Sequence, residues 1–220
     1  MSDRASLAID SATTRVVVAL GRADGTLIDS IDWPAGYRHG ETLLPAIDDI
    51  LARAGIDRTA LATVVVGTGP GAFTGLRVGI ATAKGLAHGL GCPIVGVSTA
   101  EALLSGAAPM SVLLLPAGPS DRLLVRRREG ARLIPAGSEP DLESGETMVA
   151  VDLAGRAPAD AVARGEVARG GLAAALVAMG ADRLRAGDVD DLAQLVPEYV
   201  TLPRGVRSEG GEVAWSHDRP

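Results

Sequence analysis

One stretch of the chain, GTGPGAFTG at residues 67–75, has the composition of a phosphate-binding turn. It follows the β-branched run TVVV and precedes a long Ala- and Gly-rich stretch with helical spacing. A glycine turn between a strand and a helix can hold a phosphate, because unpaired N–H groups at the helix start point outward and the helix dipole favours negative charge. The same turn can also be architecture, with glycines that only let backbones approach closely. The function of the chain depends on which interpretation holds.

A second candidate for phosphate chemistry is the turn after the first predicted strand. Asp10 ends that strand, and Ser11, Thr13 and Thr14 follow it. Such a turn can present hydroxyl and N–H groups to a phosphate, with Asp10 near a hydrated magnesium ion. Asp and Thr also form turns without any ligand, by bonding to nearby backbone groups. Taken alone, the turn favours this simpler explanation.

Known nucleotide-binding motifs match the glycine stretch only in part. Residues 67–72 satisfy the dinucleotide fingerprint GxGxxG/A, but the acidic residue expected about 20 positions later is replaced by Gly91 and Cys92. Glu101 comes later still and belongs to a predicted helix-capping box that begins at Ser98. A P-loop needs Gly-Lys-Ser/Thr at its end, whereas Leu76 follows Gly75 here. Neither motif is complete.

Composition excludes several function classes. Twenty-one Lys and Arg against 27 Asp and Glu give a net charge of −6, and the five aromatic residues are scattered, so we expect no unaided binding of nucleic acid. The single cysteine, Cys92, excludes an intrachain disulfide, and the three histidines have no metal-ligand spacing. We therefore expect no metal site, no tightly bound cofactor and no membrane span, and a cytoplasmic location.

Two predicted helices have faces suited to packing. The helix at 39–54 carries an apolar face, and the helix at 74–90 carries small residues four positions apart. Two such helices can meet the same pair of another subunit in a four-helix bundle, or they can pack on the sheet of their own chain. The predicted partner interface comprises Leu43, Leu44, Ile47, Leu51, Gly75, Leu76, Gly79, Ala83 and Ala87.

The order of predicted elements repeats along the chain. In the first half we expect strands at 5–9, 15–20, 26–32, 63–66 and 93–97, the two helices above and a third helix from Ser98. In the second half we expect strands at 111–115, 122–127, 131–134 and 147–151 and a helix at 166–185. This repeated βββαβα order predicts an α/β fold of two ribonuclease-H-like lobes. We expect the first lobe at 1–107, an eroded second lobe at 108–202 and a flexible tail at 203–220.

The sequence resembles the TsaB family, once called YeaZ, a subunit of the bacterial complex that makes threonylcarbamoyladenosine in tRNA. The resemblance is carried by LAIDSATT, HGETLLPAIDDIL and above all VVVGTGPGAFTGLRVGIATAKGLAHGLGCPIVGVST, and it returns at LVPEYV. It implies the two-lobed actin-like ATPase (ASKHA) fold and docking to a TsaD-like paralogue through the first-lobe helices. It also implies a TsaE-like ATPase as a further partner, contact with tRNA only through the complex, and a homodimer when the chain is alone.

The resemblance also bears on the two turns. It makes the glycine stretch a degenerate phosphate loop, and it leaves open ATP or ADP with magnesium near the shared interface. The corresponding candidate nucleotide site comprises Asp10, Ser11, Thr13, Gly69, Gly71 and Thr74. The chain departs from the family by Ala72 in place of Ser, by Asp10-Ser11-Ala12 in place of Asp-Thr-Ser, and by Pro116-Ala117-Gly118-Pro119 in place of an Asp-Ala-Arg turn.

Two functions follow as hypotheses. The first is a non-catalytic scaffold, with no catalytic residues of its own, that supports a TsaD-like transferase on tRNA. The second is a stand-alone phosphotransferase of the same fold that uses Asp10 and the glycine loop. The first is favoured, because no base, nucleophile or pair of metal ligands stands out in the chain.

Overall fold

The computed structural model describes residues 4–34, 39–127 and 129–198, with the side chains of residues 39 and 40 left aside. The predicted tail at 203–220 lies outside the described residues. The described chain forms two sheets, each accompanied by helices. Within these ranges, none of the helices combines the length and the apolar character needed to cross a bilayer.

The first sheet has five strands in the order β3-β2-β1-β4-β5. Its first three strands are antiparallel neighbours, whereas β4 and β5 run parallel to β1. Helices connect the parallel strands, as parallel pairing requires. The strands are β1 (Ala5–Asp10), β2 (Arg15–Arg22), β3 (Leu27–Pro34), β4 (Leu61–Gly69) and β5 (Ile94–Ser98), and the helices are α1 (His39–Ala54), α2 (Phe73–Leu90) and α3 (Thr99–Leu104).

The second sheet repeats this order in reduced form. Its four strands lie in the order β8-β7-β6-β9, which matches β3-β2-β1-β4 of the first sheet. Residues 135–146, which correspond to the segment of α1, form no helix, as the erosion of this lobe predicts. The elements are β6 (Ser111–Ala117), β7 (Asp121–Arg126), β8 (Gly130–Ile134), β9 (Thr147–Ala150) and the long helix α4 (Ala159–Arg185).

The first sheet is buried on both faces. Alternate residues of a strand point to opposite faces, so Leu7 and Ile9 of β1 pack against α1 and α2, whereas Ala8 packs towards α4. The apolar core on the α4 side of the first sheet extends into the second lobe. Leu113, Leu115 and Val149 of the second sheet belong to the same cluster as Ala8. The two lobes are therefore joined by one shared core around α3 and α4.

Helix α4 begins earlier than the sequence pattern predicts. We expected it from residue 166, but it starts at Ala159, directly after Pro158. Proline before the first turn and Asp160 within that turn are typical start signals, since proline needs no N–H there and an acidic side chain complements the helix dipole. Periodicity alone missed this start, because the first turns of α4 carry few large apolar residues.

Candidate functional site

The glycine loop between β4 and α2 is closed by the turn that joins β1 to β2. The N–H of Ala72 donates to the carbonyl of Ala12 over 2.7 Å. The hydroxyl of Ser11 donates to the carbonyl of Gly75 over 2.8 Å, inside the first turn of α2. The two turns that the sequence offers as phosphate sites are therefore bonded to each other.

Close approach explains the glycines of this region. A Cβ on Gly67 would lie 1.8 Å from Oδ2 of Asp10, and one on Gly71 would lie 2.1 Å from the carbonyl oxygen of Ala12. A Cβ on Gly79 would lie 2.2 Å from Oγ of Ser11. Gly69 has a φ of +104°, which L side chains rarely adopt. Each of the four glycines thus has a structural reason that involves no ligand.

Asp10 is fully buried and bonded within the protein. Its Oδ1 accepts from the N–H of Ala12 over 2.9 Å, and its Oδ2 accepts from the hydroxyl of Thr99 over 2.6 Å. Thr99 in turn accepts from the N–H of Gly69 over 3.1 Å. Burial raises the pKa of Asp10 to about 6, although the bonds from Thr99 and Ala12 act in the opposite direction. Asp10 therefore ties β1, the glycine loop and α3 together.

These contacts bear on the predicted nucleotide site, which stays a prediction. Asp10 has no exposed surface with which to hold a hydrated magnesium ion. The hydroxyls of Ser11 and Thr13 donate to backbone carbonyls, and both residues are buried. The structure does bring Asp10, Ser11, Gly69 and Gly71 together. Their contacts there are with other residues of the chain. Thr74 alone of the predicted set is exposed, at the start of α2.

The predicted partner interface also needs correction. Of its nine residues only Leu44 is exposed, with 51% of its surface accessible. The other eight are buried against the first sheet or the β1–β2 turn of their own chain, namely Leu43, Ile47, Leu51, Gly75, Leu76, Gly79, Ala83 and Ala87. The apolar period of an amphipathic helix marks the face that its own sheet covers, so the periodicity identifies the buried side of these helices rather than a free surface.

Sequence reasoning missed the opposite faces of the same helices. On α2, Arg77, Ala81, Gly85 and His88 are exposed at three- and four-residue spacing and therefore share a face. Nothing lies within 4 Å of a Cβ placed on Gly85. On α1, the exposed residues include Leu44, Pro45, Asp48 and Ala52. We call these eight residues the outer helix face. The sequence does carry a signal for this face, because the small residues Ala81 and Gly85 lie four positions apart on the side of α2 opposite to the buried stripe.

A metal site does not emerge from the described residues. Residues 4–34, 39–127 and 129–198 contain no group of three or more His, Cys, Asp or Glu side chains placed to hold an ion. Cys92 is partly buried, and burial raises the pKa of its thiol.

The repeated strand order and the shared core define a two-lobed α/β protein of the actin-like fold. The structure of YeaZ from Pseudomonas aeruginosa superposes with a TM-score of 0.65 at 23% identity and covers 89% of this chain and 99% of that chain. A family model described as TsaD, tRNA N6-adenosine threonylcarbamoyltransferase, matches residues 34–151.

Curated relatives sharpen this assignment. The chain is 42% identical over 101 residues to the tRNA threonylcarbamoyladenosine biosynthesis protein TsaB of Escherichia coli, which is 46% of this chain and 43% of the relative. It is 33% identical over 110 residues to TsaB of Bacillus subtilis, 50% of this chain and 48% of the relative. The matched region thus spans less than half of each of these relatives. The chain belongs to the family of the TsaD model, on its TsaB (YeaZ) branch.

Proposed function

We propose that this chain is a non-catalytic subunit of the system that makes threonylcarbamoyladenosine in tRNA, and that it pairs with a TsaD-like paralogue. Its relatives in Escherichia coli and Bacillus subtilis carry the name of that biosynthesis. The observation that carries the non-catalytic role is the closure of the glycine loop by the β1–β2 turn, with Asp10 buried beneath it. A phosphotransferase needs a carboxylate that can reach its metal and substrate, so the alternative of a stand-alone kinase is disfavoured.

We assign the contact with the paralogue to the outer helix face rather than to the buried stripe. Ala81 and Gly85 have no large side chain, so another helix can approach α2 closely there. Leu44 supplies an exposed apolar side chain on the neighbouring helix α1, which contacts α2. The same face serves a homodimer when the partner is absent. This arrangement is isologous, since the same patch faces itself across a two-fold axis.

The remaining partners follow from the same proposal. A TsaE-like ATPase joins the pair, and tRNA is contacted only through the complex, since this chain has a net charge of −6. Any ATP or ADP with magnesium is held at surfaces that the partners complete, because the hydroxyls of Ser11 and Thr13 are already bonded within this chain.

The test is complex formation by light scattering after size-exclusion chromatography, with the TsaD-like paralogue encoded in the same genome. The variant Ala81→Leu/Gly85→Leu places large side chains at two exposed positions, where they would obstruct close helix approach. We expect its affinity for the paralogue to fall at least about tenfold, which corresponds to roughly 1.4 kcal/mol. At concentrations at which the wild type is monomeric, the thermal unfolding temperature of the variant should be no lower than that of the wild type.

The matched control is Ala163→Leu/Gly171→Leu, which makes the same changes at exposed positions of α4. This control should bind the paralogue like the wild type. If both double variants bind equally well, the outer helix face is not the interface. If the wild type forms no mixed complex at all, the proposed function fails.

A further inference from the structure

A second contact between the lobes lies away from the outer helix face, where the β1–β2 turn meets the segment after β9. The carboxylate of Asp152 accepts from the N–H of Thr14 over 2.6 Å and from the hydroxyl of Thr14 over 2.5 Å. It also pairs with Nη2 of Arg169 on α4 over 3.0 Å. Only 3% of the Asp152 side chain is exposed. Three donors from two different elements therefore converge on one buried carboxylate.

The backbone fixes this carboxylate in place. Val151 and Leu153, on either side of Asp152, are both fully buried in the apolar cores. Asp152 itself has a φ of +59°, in the left-handed region that Asp tolerates better than most L residues. The segment thus turns so that its two apolar neighbours anchor it while the carboxylate projects towards Thr14.

The donors that surround Asp152 are those of an oxyanion site. A backbone N–H, a hydroxyl and a guanidinium group are the usual partners of bound phosphate and carboxylate groups, and charge-assisted bonds are the stronger ones. Arg169 retains a spare donor, since its Nε is buried and has no acceptor within the part of the chain that the structure describes. The other hydroxyls of the turn, on Ser11 and Thr13, are bonded inside the first lobe.

A cavity of about 320 Å³ adjoins this cluster. Its charged lining consists of Arg15, Asp32, Glu166 and Arg169. Arg15 pairs with Asp32, and Glu166 pairs with Arg169 over 3.2 Å. Arg169 thus belongs both to the lining of this cavity and to the cluster around Asp152. Among the described residues, Arg169 pairs with the carboxylates of Asp152 and Glu166, and loss of Asp152 would remove the first of these partners.

We propose that Thr14 and Arg169 form an oxyanion-binding site between the lobes and that Asp152 is its built-in occupant. The carboxylate of the second lobe takes the position at which the β1–β2 turn would hold a phosphate or carboxylate from solution. The wild-type chain is therefore closed to such anions at this turn, and removal of the carboxylate opens the site.

The test is titration with inorganic phosphate, followed by the amide resonance of Thr14 in ¹H–¹⁵N NMR spectra. In the wild type, phosphate should leave this resonance unchanged. In Asp152→Gly, which suits the left-handed backbone, the resonance should shift and saturate, with affinity at least about tenfold above the wild type. The double variant Asp152→Gly/Arg169→Gln should lose that gain. Asp152→Ala repeats the test with a residue that lacks the carboxylate but keeps the Cβ, so that added backbone freedom at glycine is not the cause of the response.

The matched control for Asp152→Ala is Asp160→Ala, which removes a carboxylate paired with Arg164 on α4 and changes the net charge equally. It should leave the Thr14 resonance insensitive to phosphate. The proposal is overturned if phosphate shifts Thr14 in the wild type, or if neither Asp152 variant responds. It is also overturned if neither variant folds, because Asp152 would then serve folding rather than occupancy. Neither result depends on the paralogue, so this proposal and the proposed function fail separately.

Discussion

On its inner face, α2 presents Gly75, Gly79, Ala83 and Ala87 to the sheet and the β1–β2 turn, whereas its outer face presents Ala81, Gly85 and Gly89 to solvent. The inner residues are small because their own chain leaves no room, as the 2.2 Å between a Cβ on Gly79 and Oγ of Ser11 indicates. On the outer face, nothing lies within 4 Å of a Cβ on Gly85 or Gly89.

The comparison separates two causes of one sequence pattern. Glycine in a helix costs about 1 kcal/mol relative to alanine. On the inner face, packing within the protomer requires glycine despite this cost. On the outer face, nothing in the protomer requires glycine, so we infer that the outer glycines allow a helix of a partner to approach α2 closely. The comparison yields four predictions, from the largest expected effect to the smallest.

The largest effect is expected from Gly79→Leu. A leucine there would push into the β1–β2 turn, and overpacking of this kind destabilises by about 3 kcal/mol. The free energy of unfolding, measured by urea denaturation, should fall accordingly. Gly85→Leu, the same change on the outer face, should cost nothing. Equal stability of the two variants would contradict the assignment of inner and outer faces.

The second prediction concerns the buried carboxylate beneath the inner face. Burial raises the pKa of Asp10 from 3.8 to about 6, so the folded state binds a proton more readily than the unfolded state does. The free energy of unfolding should therefore decrease as pH rises from about 4 through 6, by at most about 3 kcal/mol. Urea denaturation at a series of pH values measures this.

Asp10→Asn is the control for this pH dependence, because its side chain is uncharged at every pH and similar in shape. The variant should lack the decrease between pH 4 and 6 and should equal or exceed the wild type in stability above pH 7. Parallel pH profiles of the two proteins would show that Asp10 does not titrate in this range.

Local structure was largely predictable from the sequence, because local signals determine it. The bounds of α1 agree at both ends with the predicted 39–54, and α2 begins one residue before the predicted start. Ser98 accepts from the N–H of Glu101, as the predicted capping box requires. Alternation and glycine turns placed every strand of both sheets within about three residues.

The site was much less predictable, because long-range contacts decide it. The bond from Ser11 to Gly75 spans 64 positions, and that from Thr14 to Asp152 spans 138. The sequence of a glycine turn does not reveal whether its backbone contacts a bound phosphate or another turn of the same chain. A helical stripe likewise gives the direction of a face but not what covers it. No motif surrounds Asp152, so no sequence signal could have paired it with Thr14.

The third prediction tests the inner contact as a pair. Gly79→Ala should destabilise the chain, because its Cβ would meet Oγ of Ser11. Ser11→Ala removes that oxygen, and the Cβ of residue 11 then lies at an ordinary 3.5 Å. The double variant should therefore cost less than the sum of the single variants, by about 1 kcal/mol. A strictly additive result in urea denaturation would mean that the two residues do not constrain each other.

The smallest effect is expected on the outer face. Gly85→Ala adds a methyl group that meets nothing within 4 Å and lowers the conformational entropy of the unfolded chain. It should raise the free energy of unfolding by up to about 1 kcal/mol. At concentrations at which the chain is monomeric, it should thus gain stability from a substitution at Gly85, the position at which Ala81→Leu/Gly85→Leu weakens binding of the paralogue. If Gly85→Ala instead destabilises the monomeric chain, the outer glycine has a role inside the protomer, and the contrast between the two faces of α2 fails.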